Sequence, residues 1–144
     1  MPHISTLSPG DRYDWEVLAR GYREFYRTPT SDAEFDAAWE RILAAKDIRG
    51  LCARLDGRLV GIAHCLFHAS TWASSVCYLQ DLFTHPDARG KGVARALVAE
   101  VAAVARRSGA SRYYWLTQEH NAVARALYDK VARYKGFIRY DYPL

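Results

Sequence analysis

The sequence predicts an α/β (α+β) fold in one domain over residues 1–144, and three observations carry that expectation. Two amphipathic helical patterns come early. Three strand-like segments follow, the first two separated only by Asp56-Gly57. The second half then alternates helix and strand, giving the order βααβββαβαβ. No repeat, low-complexity tract or linker interrupts it.

Ile4 to Leu7 read as a first strand. Ser8 suits a helix N-cap and Pro9 the first helical position. Trp15, Leu18, Tyr22, Phe25 and Tyr26 recur at the helical period to about Arg27, where Thr28-Pro29-Thr30 stops the helix. Ser31 through Glu34 matches a capping box, and Phe35, Ala38, Trp39, Ile42 and Leu43 line one face of the second helix. Leu51–Leu55 and Leu59–His68 form a hairpin, because Asp-Gly accepts the positive φ of a two-residue turn. His64 and His68 share a face of its second strand. They stand about 13 Å apart at standard rise and have no acidic or Cys companion in sequence, so no metal site is expected. Ala69–Ser75 reads as a loop.

The centre of the chain is Val76–Thr84, a strand rich in aliphatic and aromatic residues, closed by the turn His85-Pro86-Asp87. Arg89-Gly90-Lys91-Gly92-Val93-Ala94-Arg95 follows and opens a helix from about Gly90 to Ser108. Val93, Leu97, Val101 and Val104 share one face, and Gly109 stands at the end. The first N–H groups of a helix lack intrahelical partners, and the dipole is positive there. Glycines let an anion approach them, and the basic side chains add charge, so a phosphate or pyrophosphate is the expected ligand. The spacing is neither that of a G-x-x-x-x-G-K-[ST] loop nor that of G-x-G-x-x-G. Arg112–Thr117 is the fifth strand and Gln118-Glu119-His120 a loop. Asn121 caps a last helix with Val123, Leu127 and Val131 as its buried stripe and Tyr128 beside it. Gly136 ends the helical region, and Phe137–Tyr142 is expected to form a final strand.

Half of the residues are hydrophobic and a quarter charged, the balance expected of a soluble globular protein. No apolar run approaches the length of a membrane span, and MPHISTLSPGDR lacks the pattern of a secretory signal. Cys52, Cys65 and Cys77 are odd in number and widely spaced, so buried thiols in a reducing compartment, the cytoplasm, are expected. The net charge is +4 and the pI about 9.0, yet the positive residues are spread over several elements. A multiply charged cofactor accounts for a local positive site, and no nucleic-acid partner is expected.

R-G-K-G-V-A resembles the [RQ]-x-x-G-x-[GA] segment of the GNAT N-acetyltransferases. YLQDLFTHPDA resembles their central strand and turn, and NAVARALYDKVARYKGF their last helix. The three motifs come in the family's order, and the likeness is strongest to the branch of diamine/polyamine and histone-and-polyamine acetyltransferases. The resemblance implies a mixed, twisted sheet of six to seven strands with about four helices, strands four and five parallel and splayed apart. It implies acetyl-CoA as cofactor, its pyrophosphate on Arg89, Gly90, Lys91, Gly92, Val93, Ala94 and Arg95. The backbone of Leu82, Phe83 and Thr84 matches a bulged stretch that pairs with the pantetheine arm and frees an amide toward the thioester carbonyl. Asn121 matches a contact to that arm, and Tyr128, two helical turns on, matches the general acid for the thiolate. The segment joining the two early helices helps wall the acceptor site, which makes Tyr22, Tyr26 and Trp39 candidate substrate contacts. Dimers are common in the family, so a homodimer is expected.

Acetyl transfer requires a neutral amine, whereas a free alkylamine has a pKa near 10.4. Polyamine-acetylating relatives carry a glutamate where this chain has Gln80, which cannot accept a proton. Asp81 or Glu119 are the remaining candidates, directly or through water. Strand alternation points Asp81 to the face opposite Gln80. The expected function is acetyl transfer from acetyl-CoA to a primary amine of a small molecule or peptide. The alternative is a non-catalytic acyl-CoA-binding sensor or regulatory module.

Overall fold

The computed structural model describes all 144 residues. In chain order it contains β1 (His3–Thr6), α1 (Arg12–Phe25), α2 (Asp32–Ala44), β2 (Ile48–Leu55), β3 (Arg58–Ser70), β4 (Ala73–Thr84), α3 (Val93–Arg107), β5 (Tyr113–Trp115) and α4 (Ala122–Val131). The strands make one sheet in the order β1-β2-β3-β4-β5. The first four pair antiparallel, and β4 pairs with β5 in parallel.

Period-two alternation divides the sheet residues between two helical layers. Leu51, Ala53, Ala63, Cys65, Cys77 and Leu79 point to α3, where they meet Val93, Leu97 and Val101. Cys52 and Ile62 point the other way, onto Trp15, Leu18, Phe35, Trp39 and Ile42 of α1 and α2. Gly61 explains how close α3 comes. A Cβ there would lie 2.5 Å from Val93 Cγ1, so the helix packs directly on the strand backbone.

The local signals act as expected. Ser31 and Glu34 exchange both capping-box bonds. Asp56 and Gly57 take φ of 50° and 79° in the hairpin turn. Ser8 and Pro9 open a short 3-10 turn, Pro9–Asp11, that leads into α1 at Arg12.

Four expectations are corrected. The loop placed over Ala69–Ser75 is a tight turn at Thr71-Trp72, because Ser70 pairs with Ala73 and the two strands run nearly to each other. The sheet has five strands, fewer than six or seven, because Phe137–Tyr142 pairs with nothing. Phe137, Ile138, Tyr140 and Tyr142 are all strongly exposed. Their alternating apolar pattern is real, but a strand needs a partner edge to satisfy its backbone, and none in this chain is laid against it. Val123 is exposed rather than part of a buried stripe, and α4 holds no fully buried residue; its contact with the core comes through Val131. The fourth correction, the position of the bulge in β4, bears on the site.

Candidate active site

β4 and β5 pair over only three positions, Cys77 with Tyr113, Tyr78 with Tyr114 and Leu79 with Trp115. Beyond them β4 continues to Thr84 with β3 alone as neighbour. From Gln80 onward one side of β4 therefore offers backbone donors and acceptors to the gap, as a sheet edge does.

The parting coincides with a bulge. Cys65 of β3 faces Leu79 and His64 faces Asp81, which leaves Gln80 as the extra residue. The Leu82–Thr84 stretch, expected to hold the bulge, pairs regularly with Ala63, Ile62 and Gly61. A one-residue insertion has no compositional mark, which is why the motif placed it too late. Leu82 packs against the α3 layer. Phe83 meets Tyr22 edge-on at 6.3 Å. Thr84 Oγ1 is the one buried side-chain polar atom without a hydrogen-bond partner.

The glycine turn has the shape an anion site needs. Gly90 and Gly92 take φ of 76° and 79°, which side-chain-bearing residues rarely adopt. Gly92 is the N-cap of α3, so no side chain caps the helix, and its first turn contains no acid. The opening N–H groups of Val93, Ala94 and Arg95 precede the first bond of the helix ladder, from Ala96 to Gly92. Lys91 is exposed beside them. Arg89 instead folds back, donating to the Thr84 carbonyl at 3.3 Å with its guanidinium 5.6 Å from the Phe83 ring centroid.

On the α1 face the structure brings Tyr22, Tyr26 and Asp81 together, and adds Tyr78, Tyr114 and the two histidines, His64 and His68, in roles other than metal binding. Tyr22 and Tyr26 pack at 5.0 Å. Burial, with the Asp81 carboxylate second, raises the pKa of both phenols. Tyr22 also makes a long contact, 3.5 Å, to the Gln80 carbonyl. Tyr78 stacks on Tyr114 at 4.9 Å, and Tyr114 donates to His68 Nε2 at 3.1 Å while His68 Nδ1 donates to the Ala69 carbonyl. His64 bonds to both Trp15 and Asp81. The only available signal for His64 was its place two residues after Ile62, on the face turned to α1. Glu119 is exposed, with its carbonyl held by Arg125.

Asn121 caps α4 by accepting from the Ala124 N–H at 3.4 Å. Tyr128 stands edge-on to Trp115 at 5.3 Å. Burial, followed by the neighbouring Tyr26, pushes its pKa up to about 12. Tyr128 thus keeps its proton at neutral pH.

Comparison with known proteins agrees with this architecture. Residues 15–132 match the model of the acetyltransferase (GNAT) family. The chain is 31% identical over 133 residues to the D-amino-acid N-acetyltransferase HPA3 of Saccharomyces cerevisiae, covering 90% of this chain and 83% of that one. It is 27% identical to the thialysine N-epsilon-acetyltransferase of Caenorhabditis elegans, covering 89% and 80%. Among solved structures, AAC(6')-Iy in complex with a bisubstrate analog superposes with a TM-score of 0.88 at 20% identity, covering 100% of this chain and 98% of that one.

The tyrosines imply a pH dependence. Tyr128 in the unfolded chain ionises near its ordinary value of 10.0 and in the folded protein near 12. Between those values the unfolded state has lost a proton that the native state keeps, so stability falls as pH rises. Denaturant midpoints measured from pH 9 to 12 should decline over this window, and less steeply in Tyr128→Phe. The family model matches one continuous stretch, residues 15–132, which is most of the chain, and the chain belongs to the acetyltransferase (GNAT) family.

Proposed function

We propose that the protein transfers the acetyl group of acetyl-CoA directly to a primary amine of a small molecule or peptide, an amino acid, a lysine-like side chain or a polyamine. The observation that carries this reading is the parting of β4 from β5 with a proton-bearing Tyr128 on one side and a carboxylate-and-tyrosine cluster on the other. Relatives named for D-amino acids and thialysine support an amino-acid-like amine.

The residues present suit the cofactor. Val93, Ala94 and Arg95 offer backbone N–H groups to a pyrophosphate, Gly90 and Gly92 supply the turn, and Lys91, Arg95 and Arg89 add positive charge. The backbone of Leu82, Phe83 and Thr84 serves as an edge for the pantetheine arm, with Asn121 contacting it from α4. When bound, the cofactor supplies the thioester. Tyr128 gives its proton to the departing sulfur, Tyr22 and Tyr26 line the acceptor side with Gln80 and Asp81, and Glu119 stands apart in the loop ahead of α4. The three cysteines are buried and free, which suits work in the reducing cytoplasm. In this reading residues 1–144 act as one domain and as a homodimer, in which the apolar arm 133–144 finds its partner edge on a second copy.

Three experiments test it. Gly92→Asp places a negative charge at the anion site, and Gly92→Asn tolerates the same backbone without the charge. Calorimetry should show the aspartate variant losing about ten- to a hundredfold in CoA affinity relative to the asparagine variant, the span of hydrogen bonds to charged groups. Equal affinities would remove the pyrophosphate from this turn. Tyr128→Phe should bind CoA normally and lose about 10²–10⁴ in turnover. The loss should shrink with a thioester whose thiol is more acidic. Turnover close to wild type would leave Tyr128 as packing, and tight CoA binding without turnover on any amine would favour the sensor. Finally, sedimentation of a chain cut after Arg133 should show monomers where the full chain shows dimers; a dimer in both would place the interface elsewhere.

A further inference from the structure

We infer that Asp81 receives the acceptor's ammonium and takes its proton, and that His64, locked by Trp15, is the positioning residue that holds Asp81 for this task. The inference rests on the acetyl-transfer reading above and names the proton acceptor that Gln80 cannot be.

Hydrogen-bond chemistry fixes the direction of each link. The Trp15 indole N–H can only donate, and it reaches His64 Nε2 at 2.9 Å. Nε2 must therefore present its lone pair, which puts the imidazole hydrogen on Nδ1 and makes His64 neutral. Nδ1 lies 2.9 Å from Asp81 Oδ2 and donates to it. Trp15 is 1% exposed, so the bond to Nε2 is sealed from water. His64 cannot gain a proton without breaking that bond and burying an indole N–H unpaired. It is a one-way donor, and the group left to exchange protons is the carboxylate.

Asp81 is suited to a cationic ligand. Its side chain keeps 25% of its surface open. The titratable groups around it are Tyr22 and Tyr26 from α1, His64 from β3 and Tyr78 from its own strand. None of these is a cation, and no lysine or arginine pairs with Asp81, whereas Asp11, Glu16, Asp32 and Asp36 each have an arginine. An ammonium seated there meets a carboxylate and the faces of aromatic rings, both of which attract it. Glu119, the other candidate, is exposed in the loop ahead of α4 and takes no part in this cluster.

The step balances as follows. One proton passes from the ammonium nitrogen to the Asp81 carboxylate, leaving a neutral amine whose lone pair forms the new C–N bond at the thioester carbonyl carbon. The C–S bond breaks, and its electron pair goes to sulfur, which takes the Tyr128 proton. The nitrogen gives up its second proton to restore Tyr128, and Asp81 releases the first to solvent.

The test is a series of primary amines, from an alkylamine of pKa about 10.4 to a fluorinated ethylamine already neutral at the assay pH. Asp81→Asn should cut kcat/KM for the alkylamine by about 10²–10⁴, and for the neutral amine by less than the weak end of that range. His64→Leu should show the same dependence on amine pKa at about ten- to a hundredfold. Trp15→Phe frees Nε2 to take a proton and should add to the pH profile an acid limb that wild type lacks. Unchanged CoA affinity certifies each variant's fold. If His64→Leu does not fold, the partly exposed Asp81→Asn and the conservative Trp15→Phe still decide. Equal losses for all amines, or none, in Asp81→Asn would overturn the inference, as would a Trp15→Phe profile identical to wild type. Failure of the Tyr128 role is separable, because Tyr128→Phe acts on the leaving thiol and not on amine pKa.

Discussion

One inserted residue in β4 governs the rest of the site. Side chains of a strand alternate between faces, so an extra residue inverts the facing of everything after it. Tyr78 faces the α1 layer and Leu79 the α3 layer. Without Gln80 as a bulge, Asp81 would fall in the α3 core and Leu82 among the tyrosines. With it, Asp81 reaches His64 while Leu82 joins the apolar layer over α3. The bulge comes directly after the last pair between β4 and β5, Leu79 with Trp115. A single local irregularity thus opens the sheet and turns a carboxylate toward the opening.

The charges are arranged in keeping with that geometry. The glycine turn at the far end of β4 gathers bare amides and basic side chains and contains no acid in the first helical turn. The α1 face gathers neutral hydroxyls around one carboxylate, with the phenols held protonated by burial. The two ends of the same strand thus differ in charge: bare amides and basic side chains at one, a carboxylate among neutral phenols at the other. Tyr128, contributed by α4, packs on Trp115 of β5, the strand that parts from β4.

Periodicity made most of the fold legible. The α3 face of Val93, Leu97, Val101 and Val104 is buried throughout, and the caps and the Asp56-Gly57 turn act as their chemistry dictates. The glycine turn was legible because positive φ demands glycine. The bulge was not, because a one-residue register shift depends on pairing with β3 and leaves no trace in composition. Sequence spacing offers His64 only as a metal ligand. Its partners are Trp15, 49 residues earlier, and Asp81, 17 residues later, and no local pattern joins them. Phe137–Tyr142 has the alternation of a strand, yet alternation says nothing about whether an edge is available to pair with it.

The looseness of α4 has a consequence for how the protein responds to heat. α3 buries six residues and α4 none, so α4 belongs to the part of the molecule that opens locally at low free energy while the sheet stays intact. The helix bearing Tyr128 frays before the protein melts. A ligand that touched α4 as well as the sheet would bind only the closed form and raise the cost of opening by mass action. The temperature at which α4 opens would then rise with the concentration of that ligand.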